Sequence, residues 1–193
     1  GSSSPTITDN VITTGNFSGI RNGSSSSSII IGNTITGNAF GIFNESSAPT
    51  ITGNKITGSV GIYNISNSSA TINGNTITGC GDLGIFISSS SSAIISGNII
   101  TGNSGAGIYT SYSSATIINN TITGNTGYGI NTYAAGSPTI TGNKITGNIG
   151  SDIYIYAGGT PNISFNIYDS ITGDTTGVGM YNVKTDGTAA PNP

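Results

Sequence analysis

Seven carboxylates, four basic side chains and one thiol are the groups, phenols apart, on which this 193-residue chain could build acid–base or nucleophilic chemistry. Glycosidic cleavage by a carboxylate pair needs two carboxyls about 5–9.5 Å apart. Asp9, Glu45, Asp82 and Asp152 are scattered along the chain, and only Asp169 and Asp174 lie together. That pair, in an irregular stretch, reads as a solvated turn. Ser and Thr abound as nucleophiles, but there is no His. The commonest general base and the commonest transition-metal ligand are therefore missing, and Lys55, Lys144 and Lys184 show no placement as activating bases. Cys80 has no partner base, and Gly105-Ala106-Gly107 opens no helix that could cradle a phosphate. The expectation is a protein that is not an enzyme and holds no metal and no cofactor.

Composition narrows the partners. Charged residues make up 6% of the chain, against about 25% in ordinary globular domains, which excludes amphipathic helices with salt-bridged faces. With a net charge of -3 and Arg21 added to the three Lys, no surface can track phosphates, so nucleic acid is excluded. No apolar run approaches the about 20 residues of a membrane helix, so no membrane insertion is expected. One cysteine cannot close an internal disulfide. Thirty-one Gly, long Ser/Thr/Asn stretches and Ile as the main large apolar residue suit strands joined by turns.

The elements that position these residues come from a repeat. Thr-Ile-Thr-Gly-Asn-x-Ile-Thr-Gly-Asn recurs, and one Asn column, Asn10, Asn33, Asn54, Asn75, Asn98, Asn120, Asn143 and Asn166, advances by 21 to 23 residues. Three Ile columns keep that register. The first runs from Ile7 to Ile163; the second runs from Ile12 through Ile145 to Ile171; the third runs from Ile20 through Ile153 to Val178 and mostly follows a Gly. Each Ile is flanked by polar residues, the alternation of a strand with one buried face. Three such strands per period describe a triangular coil. Stacking places each Ile on its equivalents, at about 1.5–3 kcal/mol per buried side chain. The fold expected is all-β, a parallel β-solenoid of about eight coils. The Asn column points inward at the corner between the first two strands, where stacked amides hydrogen-bond along the axis, a structural role.

These columns resemble the right-handed parallel β-helix repeat family, whose coils share Ile-x-x-Asn-x-Ile followed by Gly-Ile, over Ser4 to about Val183. The resemblance implies that fold. It leaves function open, because the family spans polysaccharide lyases and hydrolases, tailspikes, adhesins and ice-binding proteins. Family enzymes, as the resemblance implies, cluster carboxylates with Arg, Lys or His on one face, and the carboxylates here fall on separate coils. Residues 4–183 are read as the solenoid and 184–193, where the Ile period is lost, as a disordered tail or linker. No capping helix is evident at either end, and the chain reads as part of a larger protein.

Function is then expected in the outward columns. The second strand carries Thr13, Thr36, Thr57, Thr78, Thr101, Thr123, Thr146 and Thr172, one in each coil, and the neighbouring outward column adds Thr34, Thr76 and Thr121. The first strand offers a less regular second set, Thr6, Thr8, Thr50, Thr52, Thr71, Thr116, Thr139 and Thr141, interrupted by Ile29, Ile31, Ile94 and Ile118. Side chains two residues apart lie about 6.7 Å from each other and coils about 4.8 Å, which makes a flat grid about 38 Å long, stiffened by β-branching. The grid resembles the Thr-x-Thr faces of β-solenoid ice-binding (antifreeze) proteins, which implies adsorption to an ice crystal surface and inhibition of its growth. Lys55 and Lys144 are the departures from an uncharged plane. The alternative reading is a non-catalytic cell-surface adhesin or glycan-binding module, its partner a polysaccharide stacked on Phe43, Tyr63, Phe86, Tyr109 and Tyr154, which follow the third-strand Ile. Either reading expects a monomer, secreted or at the cell surface.

Overall fold

Ile with Thr on either side prefers extended backbone, because β-branching restricts χ1 and packs well on a pleated surface. In the computed structural model, which describes residues 3–134, 136–156, 158–175 and 182–189, these triplets form short parallel strands. Thr6–Thr8, Ile29–Ile31, Thr50–Thr52, Thr71–Asn73, Ile94–Ser96, Thr116–Ile118, Thr139–Thr141 and Asn162–Ser164 make one eight-stranded sheet. Each pairs with its equivalent one coil away, so that Ile7, Ile30, Ile51 and Ile72 stand in line, as do Ile95, Ile117, Ile140 and Ile163. The second and third strands of the coils share the other sheet, joined where Thr34–Glu45 and Lys55–Ile65 run through the corner without a break.

The core consists of Ile ladders with Ala70, Cys80, Ala93 and Ala115 between them. Ile7 and Ile12, in the first coil, are half-buried, since no coil covers them on one side. In the last coil the register differs from the one expected. The second-strand position opposite Ile145 belongs to Tyr168, while Ile171 pairs with Ile153 and stands in the third-strand ladder. Thr172 therefore lies beside Tyr154, not in the Thr column. The physical reason is volume: the Tyr168 ring, fully buried, fills the second-strand core site by itself, and the chain reaches the third strand sooner. Val178, expected in the third column, lies outside the described residues.

The Asn column is internal and continuous. Asn54 shows its bonding: Oδ1 accepts the Asn33 backbone N–H at 2.9 Å and its Nδ2 at 3.0 Å, while Nδ2 of Asn54 donates to Ile30 O, Thr52 O and Asn75 Oδ1. The same pattern runs to Asn166, which donates to Asn182 Oδ1 from N at 2.9 Å and from Nδ2 at 3.2 Å. The turn before each of these Asn needs left-handed backbone, as at Gly97 with φ 62°, which explains why Gly, Asp9 or Asn119 stands there in every coil but the last. A second ladder follows the second strand. Cys80 N–H donates to Asn103 Oδ1, and Asn103, Asn125 and Asn148 continue to Asp152. Asp152 is buried and closes that ladder: Oδ1 accepts Asn148 Nδ2 at 3.0 Å, and Oδ2 accepts the N–H groups of Asp169 and Ser170.

Residues 182–189 lie against the last coil. Val183 bridges Ile167, Asn182 extends the Asn ladder, and Thr185 donates to Asp169 Oδ1 from its hydroxyl at 2.5 Å and its N–H at 3.1 Å. Lys184 N–H donates to Thr188 O in a turn.

Candidate functional site

Parallel pairing places equivalent residues of successive coils directly over one another, so any aromatic that recurs at one position must meet its neighbour about 4.8 Å away. On the third strand the outward position after the core Ile is Arg21, Phe43, Tyr63, Phe86, Tyr109, Asn131, Tyr154 and Thr172 in order, in register. The rings stack: Phe43 on Tyr63 at 5.4 Å, Tyr63 on Phe86 at 4.8 Å and Phe86 on Tyr109 at 5.5 Å between centroids, with interplanar angles of 13° to 19°. Asn131 breaks the column, and two flanking columns carry the stripe past it. Tyr133 stacks on Tyr109 at 6.3 Å and meets Tyr156 at 4.5 Å, while Tyr128 stacks on Tyr154 at 4.6 Å. Near the first coils Phe40 packs edge-on against Phe43, Phe17 tilts against it and packs edge-on against Phe40, and the Phe43 ring is buried. Tyr63, Phe86, Tyr109, Tyr128 and Tyr154 are half-buried, with Tyr133 and Tyr156 exposed.

Four of the five aromatics expected on this face, Phe43, Tyr63, Phe86 and Tyr109, are brought into one stack, and Tyr154, across Asn131 on the same face, stacks with Tyr128. Sequence reasoning missed Phe17, Phe40, Tyr128, Tyr133 and Tyr156, although counting two residues on from the third-strand outward position finds Tyr133 and Tyr156. Arg21 was missed as well: its guanidinium lies 5.4 Å from the Phe43 ring centroid and its Nη2 is 2.9 Å from Glu45 Oε2. Burial pushes the Tyr109 phenol above its ordinary range, with Tyr133 and Tyr112 adding to the effect, so at neutral pH its hydroxyl is protonated and can donate.

Beside the stripe, at the corner before the third strand, lies an open groove of about 540 Å³ lined by Asn16, Asn38, Thr57, Gly58, Ser59 and Gly79 among others. Its cause is legible in the coil lengths. From second-strand to third-strand Ile the step is eight residues between Ile77 and Ile85, seven between Ile35 and Ile42 and six between Ile56 and Ile62. The shortened corners leave a recess, and the pairing registers the deletion as a bulge between Ile35 and Asn38.

The Thr residues are placed less regularly than the sequence suggests. Thr13 pairs with Thr36, and Thr78, Thr101, Thr123 and Thr146 pair in succession, with Thr101 and Thr123 hydroxyls 3.4 Å apart. The bulge, at Thr36–Gly37 opposite Thr57, interrupts the column between these two runs. Thr34, Thr76 and Thr121 are half-buried in the adjoining column, which also carries exposed Lys55, Ile99 and Lys144. On the first sheet, Thr6, Thr50, Thr71, Thr116 and Thr139 share one column with Ile29 and Ile94, and Thr8, Thr52 and Thr141 share the next with Ile31 and Ile118. Ile29, Ile31 and Ile94 are exposed there.

The carboxylates do not gather. Asp152 is enclosed in its ladder, Asp169 is clasped by Thr185, and Asp82 is exposed beside Leu83. Among the described residues no group of three or more His, Cys, Asp or Glu could hold a metal, and no helix is long and apolar enough to cross a membrane.

Residues 60–189 match the family model described as the right-handed beta-helix region. The chain belongs to the right-handed β-helix family. No match is found among curated proteins. Among solved structures the chain is similar to the A-module of a mannuronan C-5 epimerase from Azotobacter vinelandii, with a TM-score of 0.50 and 18% identity, over 96% of this chain and 51% of that one. The chain thus spans about half the length of that module. This likeness is one of fold, and it corrects the expectation that the chain is not an enzyme. The coil stack it shares is one on which an epimerase is built, so the want of a His or of paired carboxylates gives no ground for excluding catalysis.

Proposed function

We propose that this right-handed β-helix is a polysaccharide-binding module and that the third face is its binding surface. The observation that carries the reading is the unbroken ring stack Phe43–Tyr63–Phe86–Tyr109, extended by Tyr133 and Tyr156. Aromatic rings offer apolar area at low entropic cost, and because their faces meet one another it is their outward edges that the apolar C–H faces of a sugar chain can cover. A stripe repeating once per coil suits a polymer lying along the solenoid axis. The fold match supports the reading, since that module is named for mannuronan, a polysaccharide. A secreted or cell-surface location, where such polymers are found, belongs to the same proposal. The test is titration of soluble polysaccharides, neutral and acidic, against the chain and against Tyr63→Ala, Phe86→Ala and Tyr109→Ala. Each truncation of a central ring is expected to cost about 1–2 kcal/mol, about five- to thirtyfold in Kd. Binding unchanged in the triple variant, with its far-UV circular dichroism intact, would remove the third face from consideration.

A second reading, adsorption to ice, is favoured by the in-register run Thr78–Thr101–Thr123–Thr146 and its half-exposed, uncharged side chains. Thermal hysteresis and crystal shaping by the chain, both lost in Thr78→Tyr/Thr123→Tyr, are the expected outcome of this reading. Unshaped crystals with the parent chain would end it.

A further inference from the structure

We propose that the polymer held by the third face is an uncharged one. The inference rests on the polysaccharide reading above and adds to it the charge class of the ligand. A polyuronate carries a carboxylate on each sugar, and proteins recognise such chains through Arg and Lys, Arg by bidentate pairing. The chain has four basic side chains, all of them described. Arg21 alone stands on the third face, and it is already committed, in an ion pair with Glu45 at 2.9 Å and over the Phe43 ring at 5.4 Å. Lys55 and Lys144 open second strands, in register with Thr34 and Thr121, on a different face. Lys184 lies in the turn closed by Thr188, beyond the last coil.

The carboxylates point the other way. Glu45 stands two residues beyond Phe43 on the same strand, and Asp82 is exposed immediately before Leu83, at the edge of the stripe. Arg21 and Glu45 cancel, so the rings from Tyr63 to Tyr156 have no cation on their own face, since Lys55 and Lys144 of the same coils stand on the second strands, and Asp82 adds a negative charge before the third strand of a middle coil. A polyanion laid along this stripe meets repulsion with nothing to offset it. A neutral glycan meets the outward edges of the stacked rings and phenol hydroxyls that pair with its own.

The experiment is affinity electrophoresis of the whole chain through gels holding a neutral polymer, a β-glucan or a galactomannan, or a polyuronate, alginate or polygalacturonate, each at low and high salt. Retardation by a neutral polymer is expected, insensitive to salt and at least about tenfold tighter than by either polyuronate. Equal or tighter retardation by a polyuronate overturns the inference and leaves the polysaccharide reading standing. Retardation by none of the four sinks that reading, and the inference with it. Tyr63→Ala/Phe86→Ala/Tyr109→Ala, run alongside, must lose the neutral-polymer shift; if it keeps the shift, the binding surface is elsewhere and the charge argument fails.

Discussion

Asn98 sits between two other ladder amides, with Oδ1 accepting the N–H and Nδ2 of Asn75 and Nδ2 donating to Ile72 O, Ser96 O and Asn120 Oδ1. An alanine there orphans buried donors above and a buried carbonyl beside it, each costing about 1–3 kcal/mol. Asn98→Ala is therefore expected to lower unfolding stability by about 3 kcal/mol or more in urea titration, while Asn10→Ala, at the exposed first rung, costs under about 1 kcal/mol. Equal losses at the two positions would show that the ladder is no cooperative spine. Cys80, which stands where other coils have Asn103 or Asn125, makes a prediction about pH. Burial pushes its thiol from 9.0 up to about 11, against the opposing hydrogen bonds of Gly58 and Gly61. The unfolded chain releases this proton first as pH rises, so the thiol's contribution is whole below about pH 9 and is lost between about 9 and 11, a fall of about 3 kcal/mol. Urea midpoints at pH 8 and pH 11 should converge less in the parent than in Cys80→Ala, which lacks that loss; parallel falls in the two chains would remove the thiol as the cause.

At the scale of the strand, the Gly before the third-strand Ile, present from Gly19 to Gly129, decides how closely those coils can stack. A Cβ at Gly84 would stand 2.5 Å from Gly107 O, 2.8 Å from Ile100 Cγ2 and 3.1 Å from Asn103 Nδ2. Two of those three neighbours belong to the core or the backbone and cannot swing away. Gly84→Ala is thus expected to cost at least about 2 kcal/mol by overpacking, read as a lowered melting midpoint. A change at Gly53, where a Cβ would meet nothing within 4 Å, tests only its left-handed backbone, and an equal loss there would refute the packing account. The strands themselves were legible: every Ile triplet expected as a first strand is one, because alternation with period two admits a single inward residue. The last coil was not, since Tyr168 and Ile171 are both apolar and spacing alone cannot say which of them takes the second-strand site. Their side-chain volumes, weighed against the core already present, decide it.

Over the whole molecule, stacking turns one repeat into three axial ladders and three faces, and each face extends what a single coil presents. A ring at one position becomes a stripe; a Thr becomes a column; a shortened corner becomes a groove. The aromatic members next to the core Ile, from Phe43 to Tyr154, could be read from position alone, because residues at equal register must stack in a parallel array. Tyr133 and Tyr156 follow from the same count two residues further on, whereas Phe17, Phe40 and Tyr128 could not be read, since joining the stripe depends on diagonal contacts across neighbouring coils. The exclusion of an enzyme from the absence of His failed for a related reason: separation along the chain says little about which faces a solenoid shares with catalytic relatives of its fold. Period, alternation and the Asn column determined by themselves that this chain winds into a β-helix, for hydrophobic burial and amide pairing leave identical repeats no other way to satisfy both. Where the Thr column breaks, which residue fills the last coil and how Arg21 is neutralised by Glu45 were settled only in three dimensions, because each depends on contacts between residues 18 or more apart in sequence.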